Sequence, residues 1–159
     1  MRDAEHWFAP YSDDHRHPTN IAIHWICVPA ITWCAIALLW IVPVPHWLGR
    51  PGFWSVTAMF VAFAFYFYRL SRSVGLAMAG TFIVLALATE GMYRWLGPAM
   101  LGWTALVVFV AAWIGQFIGH TIEGRRPSFL TDLTYLLIGP AWLAGKLLRR
   151  FGVDIDSRD

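Results

Sequence analysis

Charge is scarce in this chain. Ten acidic and twelve basic residues make up 14% of its 159 positions, against about 25% in a soluble domain. A surface facing water on all sides is therefore excluded. The net charge of +2 is too small for a nucleic-acid footprint, so no nucleic-acid partner is expected. Cysteine is nearly absent as well. Cys27 and Cys34 are the two present, both inside the first apolar run. On a helix, residues seven apart stand roughly 10 Å apart along the axis, too far for a disulfide, and the pair reads as small apolar filler. A secretory leader is also missing: the first twenty residues are polar and of mixed charge, with no basic stretch leading into an apolar core.

What is present is grease. The chain is 58% hydrophobic and holds 10 Trp and 11 Phe, and aromatics of this kind anchor helices at a lipid interface. The length favours a single domain over 1–159. Apolar runs at 20–42, 53–68, 74–89 and 99–122 are expected to be four transmembrane helices of an all-α, multi-pass membrane protein. Pro43-Val44-Pro45 with Gly49-Arg50-Pro51-Gly52, then Arg69–Ser73, then Glu90–Pro98, are read as the turns between them. Residues 1–19 read as a polar arm, loop with a short interfacial turn at Trp7-Phe8. A fifth apolar stretch, 133–148, is interrupted by Gly139-Pro140 and closes on Lys146, Arg149 and Arg150. Its length and break predict an interfacial or re-entrant segment against the bundle.

Placement of the basic residues gives an orientation. With four spans, one side holds Arg2, Arg16, Arg69, Arg72, Arg125, Arg126, Lys146, Arg149, Arg150 and Arg158, and the other holds Arg50 and Arg94. The positive-inside rule then puts both termini in the cytoplasm. It also brings two polar clusters, a hundred residues apart in sequence, to the same depth on the same face.

The first cluster runs from His15 to His24 and the second from Gln116 to Glu123. Asn20 and His24 are four apart and share a helix face, while Gln116, His120 and Glu123 fall at i, i+4 and i+7. Trp113 extends that stripe. His15 and His17 precede Pro18 in extended chain able to fold back over the helix mouth. Three imidazoles and a carboxylate can thus converge. Polar groups at membrane depth are costly, and this makes them a functional hypothesis by default. A ligand set of imidazole, or imidazole with carboxylate, suits iron, zinc, copper or nickel. The amides of Asn20 and Gln116 fit the task of orienting imidazoles by hydrogen bonds, and His17 stands beside them. The bland alternatives are interfacial imidazoles bonded to carbonyls, a structural His120–Glu123 pair, a solvated His17, and ordinary flanking charges at Arg125 and Arg126. His6 and His46 read as solvated and interfacial.

At these residues the sequence resembles the Mpo1-like family of small multi-pass membrane proteins. The matching pieces are Tyr11 followed by His15-x-x-Pro18-x-Asn20-x-x-x-His24, and Trp113-x-x-Gln116-Phe117-Ile118-Gly119-His120-x-x-Glu123-Gly124-Arg125-Arg126-Pro127. The resemblance implies an iron(II)-dependent dioxygenase of fatty acid α-oxidation. Such an enzyme takes a long-chain 2-hydroxy fatty acid and O2 and releases the acid one carbon shorter, with loss of CO2. It also implies His15, His24 and His120 as ligands of Fe(2+), Glu123 as a fourth, and a catalytic centre at these four residues. Arg125 or Arg126 would then steer the substrate carboxylate. The last residues, Asp156-Ser157-Arg158-Asp159, carry no endoplasmic-reticulum retention signal, which leaves a bacterial inner membrane open beside the endoplasmic reticulum. Competing readings are a membrane redox protein with haem between His24 and His120, and a non-enzymatic carrier or scaffold.

Overall fold

Every regular element is helical among the residues that the computed structural model describes, 4–126 and 134–155. In chain order they are α1 (Ala4–Asp13), α2 (Pro18–Trp40), α3 (Phe53–Phe65) with a π-helical turn at Tyr66–Leu70, α4 (Arg72–Glu123) and α5 (Thr134–Arg150). Arg2, Pro127, Arg158 and the rest of the C-terminal tetrapeptide lie outside the described residues.

The polar arm is not loop. Ala4, Trp7, Phe8 and Tyr11 recur at i, i+3, i+4 and i+7, the spacing of one helical face. Three of them, Ala4, Phe8 and Tyr11, are buried in α1. α2 starts where its sequence directs. Pro18 occupies the first helical position, where its missing N–H costs nothing, and the His17 side chain accepts from the Thr19 amide at 3.2 Å as an N-cap.

Among the described residues, three helices are long and apolar enough to cross a membrane: Pro18–Trp40, Phe53–Leu70 and Arg72–Glu123. The expectation of four separate spans is corrected in this respect, because the third and fourth runs belong to one helical stretch. That stretch is interrupted once, at Gly97, with φ 77° and ψ 168°. Only glycine takes this conformation readily, and Pro98 follows it.

The neighbours on either side of Gly97 show what the interruption does. Before it, Ala77, Met78 and Thr81 flank a cavity opposite Trp25 to Thr32, and Met92 and Tyr93 pack against the cluster around Ala37. After it, Gly102 approaches Ile41, Gly115 approaches Cys27 and Gly119 approaches Asn20. The first half of α4 therefore runs along α2 in the same sense, and the second half returns along it in the opposite sense. α2 is the central helix, and its most extensive contact is with α4.

Helical structure continues past the expected end at 89, through Glu90 and Arg94, whose side chains pair at 2.6 Å one turn apart. The expected segment at 133–148 is α5, described from residue 134. It is more than a surface strip: Ile138, Ala141, Trp142 and Leu143 are buried with Phe8, Tyr11, Tyr66 and Leu70 in the main core. The Tyr66 hydroxyl donates to the Leu137 carbonyl at 2.9 Å and ties α5 to the π-helical turn.

Candidate metal centre

Three elements each bring one imidazole to the same place. His15 stands just beyond α1, His24 lies nearly two turns into α2, and His120 lies in the last turn of α4. Their relative exposures are 3%, 1% and 3%. One ring nitrogen from each lies within 4.8 Å of those of the other two.

The hydrogen bonds decide which nitrogens face inward. His15 Nδ1 lies 2.6 Å from the Tyr11 carbonyl oxygen, and His24 Nδ1 lies 2.9 Å from that of Asn20. A carbonyl oxygen can only accept, so each Nδ1 carries the proton and each Nε2 holds a lone pair. Burial pushes the His15 imidazole below its usual range, against the opposing pull of the Tyr11 carbonyl and the Asp14 and Glu123 carboxylates; the neutral form is the resting one. The two Nε2 atoms nevertheless sit 2.8 Å apart. Two lone pairs held face to face repel each other, and a shared electrophile turns that repulsion into binding. Metal-bound histidines commonly donate their other ring N–H to a carbonyl in this manner. The donor set therefore fits a metal ion. Among the described residues, His120 Nδ1 has no hydrogen-bond partner, so its ring too has a nitrogen uncommitted to the protein.

Packing fixes the rings. Tyr11 stacks on His15 with centroids 4.2 Å apart and an interplanar angle of 16°. Trp142 of α5 lies 5.5 Å from the same imidazole, and its Nε1–H donates to Ser12 at 2.8 Å. Lys146 Nζ is 3.8 Å from the centroid of the Trp142 ring. Neither Tyr11 nor Trp142 was assigned a task from sequence. The signal for Tyr11 is its place four residues before His15, on the buried face of α1; Trp142 has no comparable signal, since its partners are all distant in the chain.

Glu123 does not join the three histidines. Its carboxylate accepts from the backbone amides of Arg16 at 3.0 Å and His17 at 2.8 Å, and from the Asn20 side-chain amide at 3.1 Å. It sits at the N-terminus of α2, where free amides and the helix dipole favour an anion. α4 ends directly after it: Gly124, at φ 72°, turns the chain, and the Arg125 amide reaches back to the His120 carbonyl at 3.2 Å, as in a Schellman motif. Gly119 lets the helices meet, since a Cβ there would collide with Asn20 Oδ1.

The remaining expected residues fall around this core. Asn20 is buried and supplies both the Glu123 contact and the carbonyl that holds His24. Gln116 is buried and lines the cavity beside His24 and His120. His17 is exposed and occupied as the α2 cap. Arg125 is exposed and pairs with Asp14 at 3.0 Å, Arg126 is exposed, and neither lines the cavity.

That cavity holds about 40 Å3 and is bounded by the three histidines, Tyr11, Gln116 and Trp113, with Tyr135, Leu136, Gly139 and Pro140 from α5. A cavity that takes one water needs about 10–15 Å3, so an ion with a few small ligands fits. The His24 and His120 ring centroids are 5.1 Å apart and the rings meet edge to face, which leaves no room for a porphyrin between them.

A family model described as 2-hydroxy-palmitic acid dioxygenase Mpo1-like matches residues 1–151. Among curated proteins, the 2-hydroxy-palmitic acid dioxygenase MPO1 of Saccharomyces cerevisiae is 28% identical over 145 residues, covering 89% of this chain and 78% of the relative. No solved structure matches.

Proposed function

The chain belongs to the Mpo1-like family, and on that premise we propose that it is an iron(II)-dependent dioxygenase of long-chain 2-hydroxy fatty acids. The reaction takes R–CH(OH)–COOH and O2 to R–COOH, CO2 and water. Electrons from the C1–C2 bond and the carbinol carbon reduce the oxygen. The observation that carries the reading is the close pair of Nε2 atoms on His15 and His24, with His120 completing a buried nitrogen set beside an apolar opening.

His15, His24 and His120 would hold the iron. Iron(II) held there would supply the redox chemistry that the reaction with O2 requires. The protein's own groups do the rest. The Tyr11 and Asn20 carbonyls keep two imidazoles in the tautomer that ligates. Glu123 locks the start of α2 to the end of α4 and so sets the distance between His24 and His120. Arg125 and Arg126 add positive potential at the rim and draw the substrate carboxylate toward it.

The chain crosses the bilayer four times, the two halves of α4 being separate crossings, with both termini and the histidines toward the cytoplasm. The opposed course of those halves along α2 and the distribution of Lys and Arg support this topology. The membrane is a bacterial inner membrane or the endoplasmic reticulum.

Detergent-purified protein loaded anaerobically with iron(II) tests the reading. It should hold about one iron per chain and convert 2-hydroxyhexadecanoic acid to pentadecanoic acid in the presence of O2. A folded preparation that binds no iron, or binds it and leaves the hydroxy acid unchanged, overturns the proposal.

A further inference from the structure

The small histidine cavity is not closed on its apolar side. Ile31, Thr32, Trp113, Leu136 and Pro140 line it and also line a second cavity of about 290 Å3. This larger space follows one face of α2 from Ile31 to Leu39, about 12 Å of helix. Ser55, Ala58, Met59 and Ala62 of α3 face it from the other side. Measured from His24, Leu39 is about 22 Å further along α2, on the scale of a long acyl tail.

The wall is almost wholly apolar. Three hydroxyls line it, and each already donates to a backbone carbonyl: Thr32 to Val28, Ser55 to Ile36 and Tyr66 to Leu137. The rest of the lining is hydrocarbon or aromatic, apart from the Met59 thioether and the indole nitrogen of Trp113. The flank is open, since Ala35, Leu39 and Ala58 are exposed on helices apolar enough to face lipid.

We propose that this groove holds the acyl tail of the substrate, entered sideways from the bilayer, and that Ala58 and Ala62 set the chain length accepted. The inference rests on the reading of the histidine site as a 2-hydroxy fatty acid dioxygenase. The head group lies at the histidines, and the tail passes Trp113 and Leu136 and runs along α2 toward Leu39. Burial of each CH2 in such a groove is favourable to the same degree as burial in lipid, so a tail loses little on leaving the bilayer. Selectivity then comes from where the groove is blocked. The small side chains of Ala58 and Ala62 leave it unblocked.

A neighbouring apolar cavity of about 240 Å3, lined by Trp25, Ala77, Thr81 and Leu147 among others, touches the histidine site only through Val28, Thr32 and Pro140. It serves as the internal control.

The test is photolabelling of the full-length, iron-loaded protein in detergent with 2-hydroxyhexadecanoic acid bearing a diazirine near its tail end, mapped by mass spectrometry. Label is expected on peptides containing Leu39, Ala58 and Met59, suppressed by unmodified 2-hydroxyhexadecanoic acid. Ala58→Trp and Ala62→Phe should each cut this label tenfold or more with iron content unchanged. They should also move the preferred substrate to shorter chains, lowering kcat/KM for the sixteen-carbon acid at least tenfold relative to a ten-carbon one. Ala77→Phe should leave both readouts alone. Label on Ala77 or Leu147 peptides, label spread over the lipid-facing surface, or equal loss for both chain lengths overturns the groove assignment. Label in the groove without turnover of the hydroxy acid overturns the reaction instead and leaves the groove standing as a lipid site.

Discussion

The two ends of this helical bundle are built from similar residues and use them in opposite ways. At the end near Gly97, the ionisable groups and the Thr89 hydroxyl are exposed or satisfied locally. His46 is exposed, Glu90 and Arg94 pair within one helix, and the Thr89 hydroxyl bonds the Leu85 carbonyl one turn back. At the other end, His15, Asn20, His24, Gln116 and His120 are all buried, and the contact joining α2 to α4 spans a hundred residues of sequence. Local satisfaction is cheap and carries no information about chemistry. Buried polar groups tied across the fold are costly to assemble, and their concentration at one end marks where the molecule has a task. Polarity alone did not distinguish the ends; the sequence separation of the partners did.

The strongest way to break this contrast is at the histidines. His24→Ala and His120→Ala should each abolish iron binding and lower turnover of 2-hydroxyhexadecanoic acid by more than about 100-fold, beyond the range of supporting residues. Elemental analysis of the folded variants checks it, and iron retained in either would erase the difference between the two ends. Next comes the Glu123 clamp. Glu123→Ala frees two backbone amides and the Asn20 side chain and should weaken iron binding about 10- to 100-fold, read by competition with a chelator of known affinity. An unchanged affinity would show that the ligands hold their positions without it.

At the opposite end the effects should be on stability alone. Gly97→Ala meets no atom within 4 Å, so its cost is the backbone conformation, about 1–3 kcal/mol. Thermal unfolding should shift down by several degrees with iron per chain intact; loss of iron would mean the two ends are coupled through α4. Smallest of all is Glu90→Gln. It removes an exposed i,i+4 pair worth about 0.3–0.5 kcal/mol, and neither melting nor turnover should move measurably.

Much of this arrangement was legible from spacing. Asn20 with His24, and Gln116 with His120, share faces because a helix turns every 3.6 residues, and apolar runs placed both at helix mouths. What stayed hidden depended on partners that spacing does not name. α1 reads as a polar arm because Glu5, His6, Ser12 and Asp13 are polar and Pro10 interrupts it, and only a core to pack against makes the Ala4, Trp7, Phe8 and Tyr11 face matter. Glu123 sits on the stripe of His120, which makes it read as a ligand. Its partners are backbone amides of another helix, and backbone donors leave no trace in a sequence. The turn at Gly97-Pro98 was visible, but the helix runs on to meet it because Glu90 and Arg94, read as turn residues, satisfy each other within the helix. Trp142 could not be placed at all without knowing that α5 folds back over α1.

The clamp formed by Glu123 also orders events in time. His15 and His24 are synthesised about a hundred residues before His120, and chains emerge at about 5–20 residues per second. For those seconds a nascent chain holds two imidazoles and no third, with the amides ahead of α2 still lacking their carboxylate. Capture of a metal by all three imidazoles would therefore wait until the return half of α4 has docked along α2. An ion that binds only the completed fold would stabilise that fold by mass action and so act as a seal on assembly.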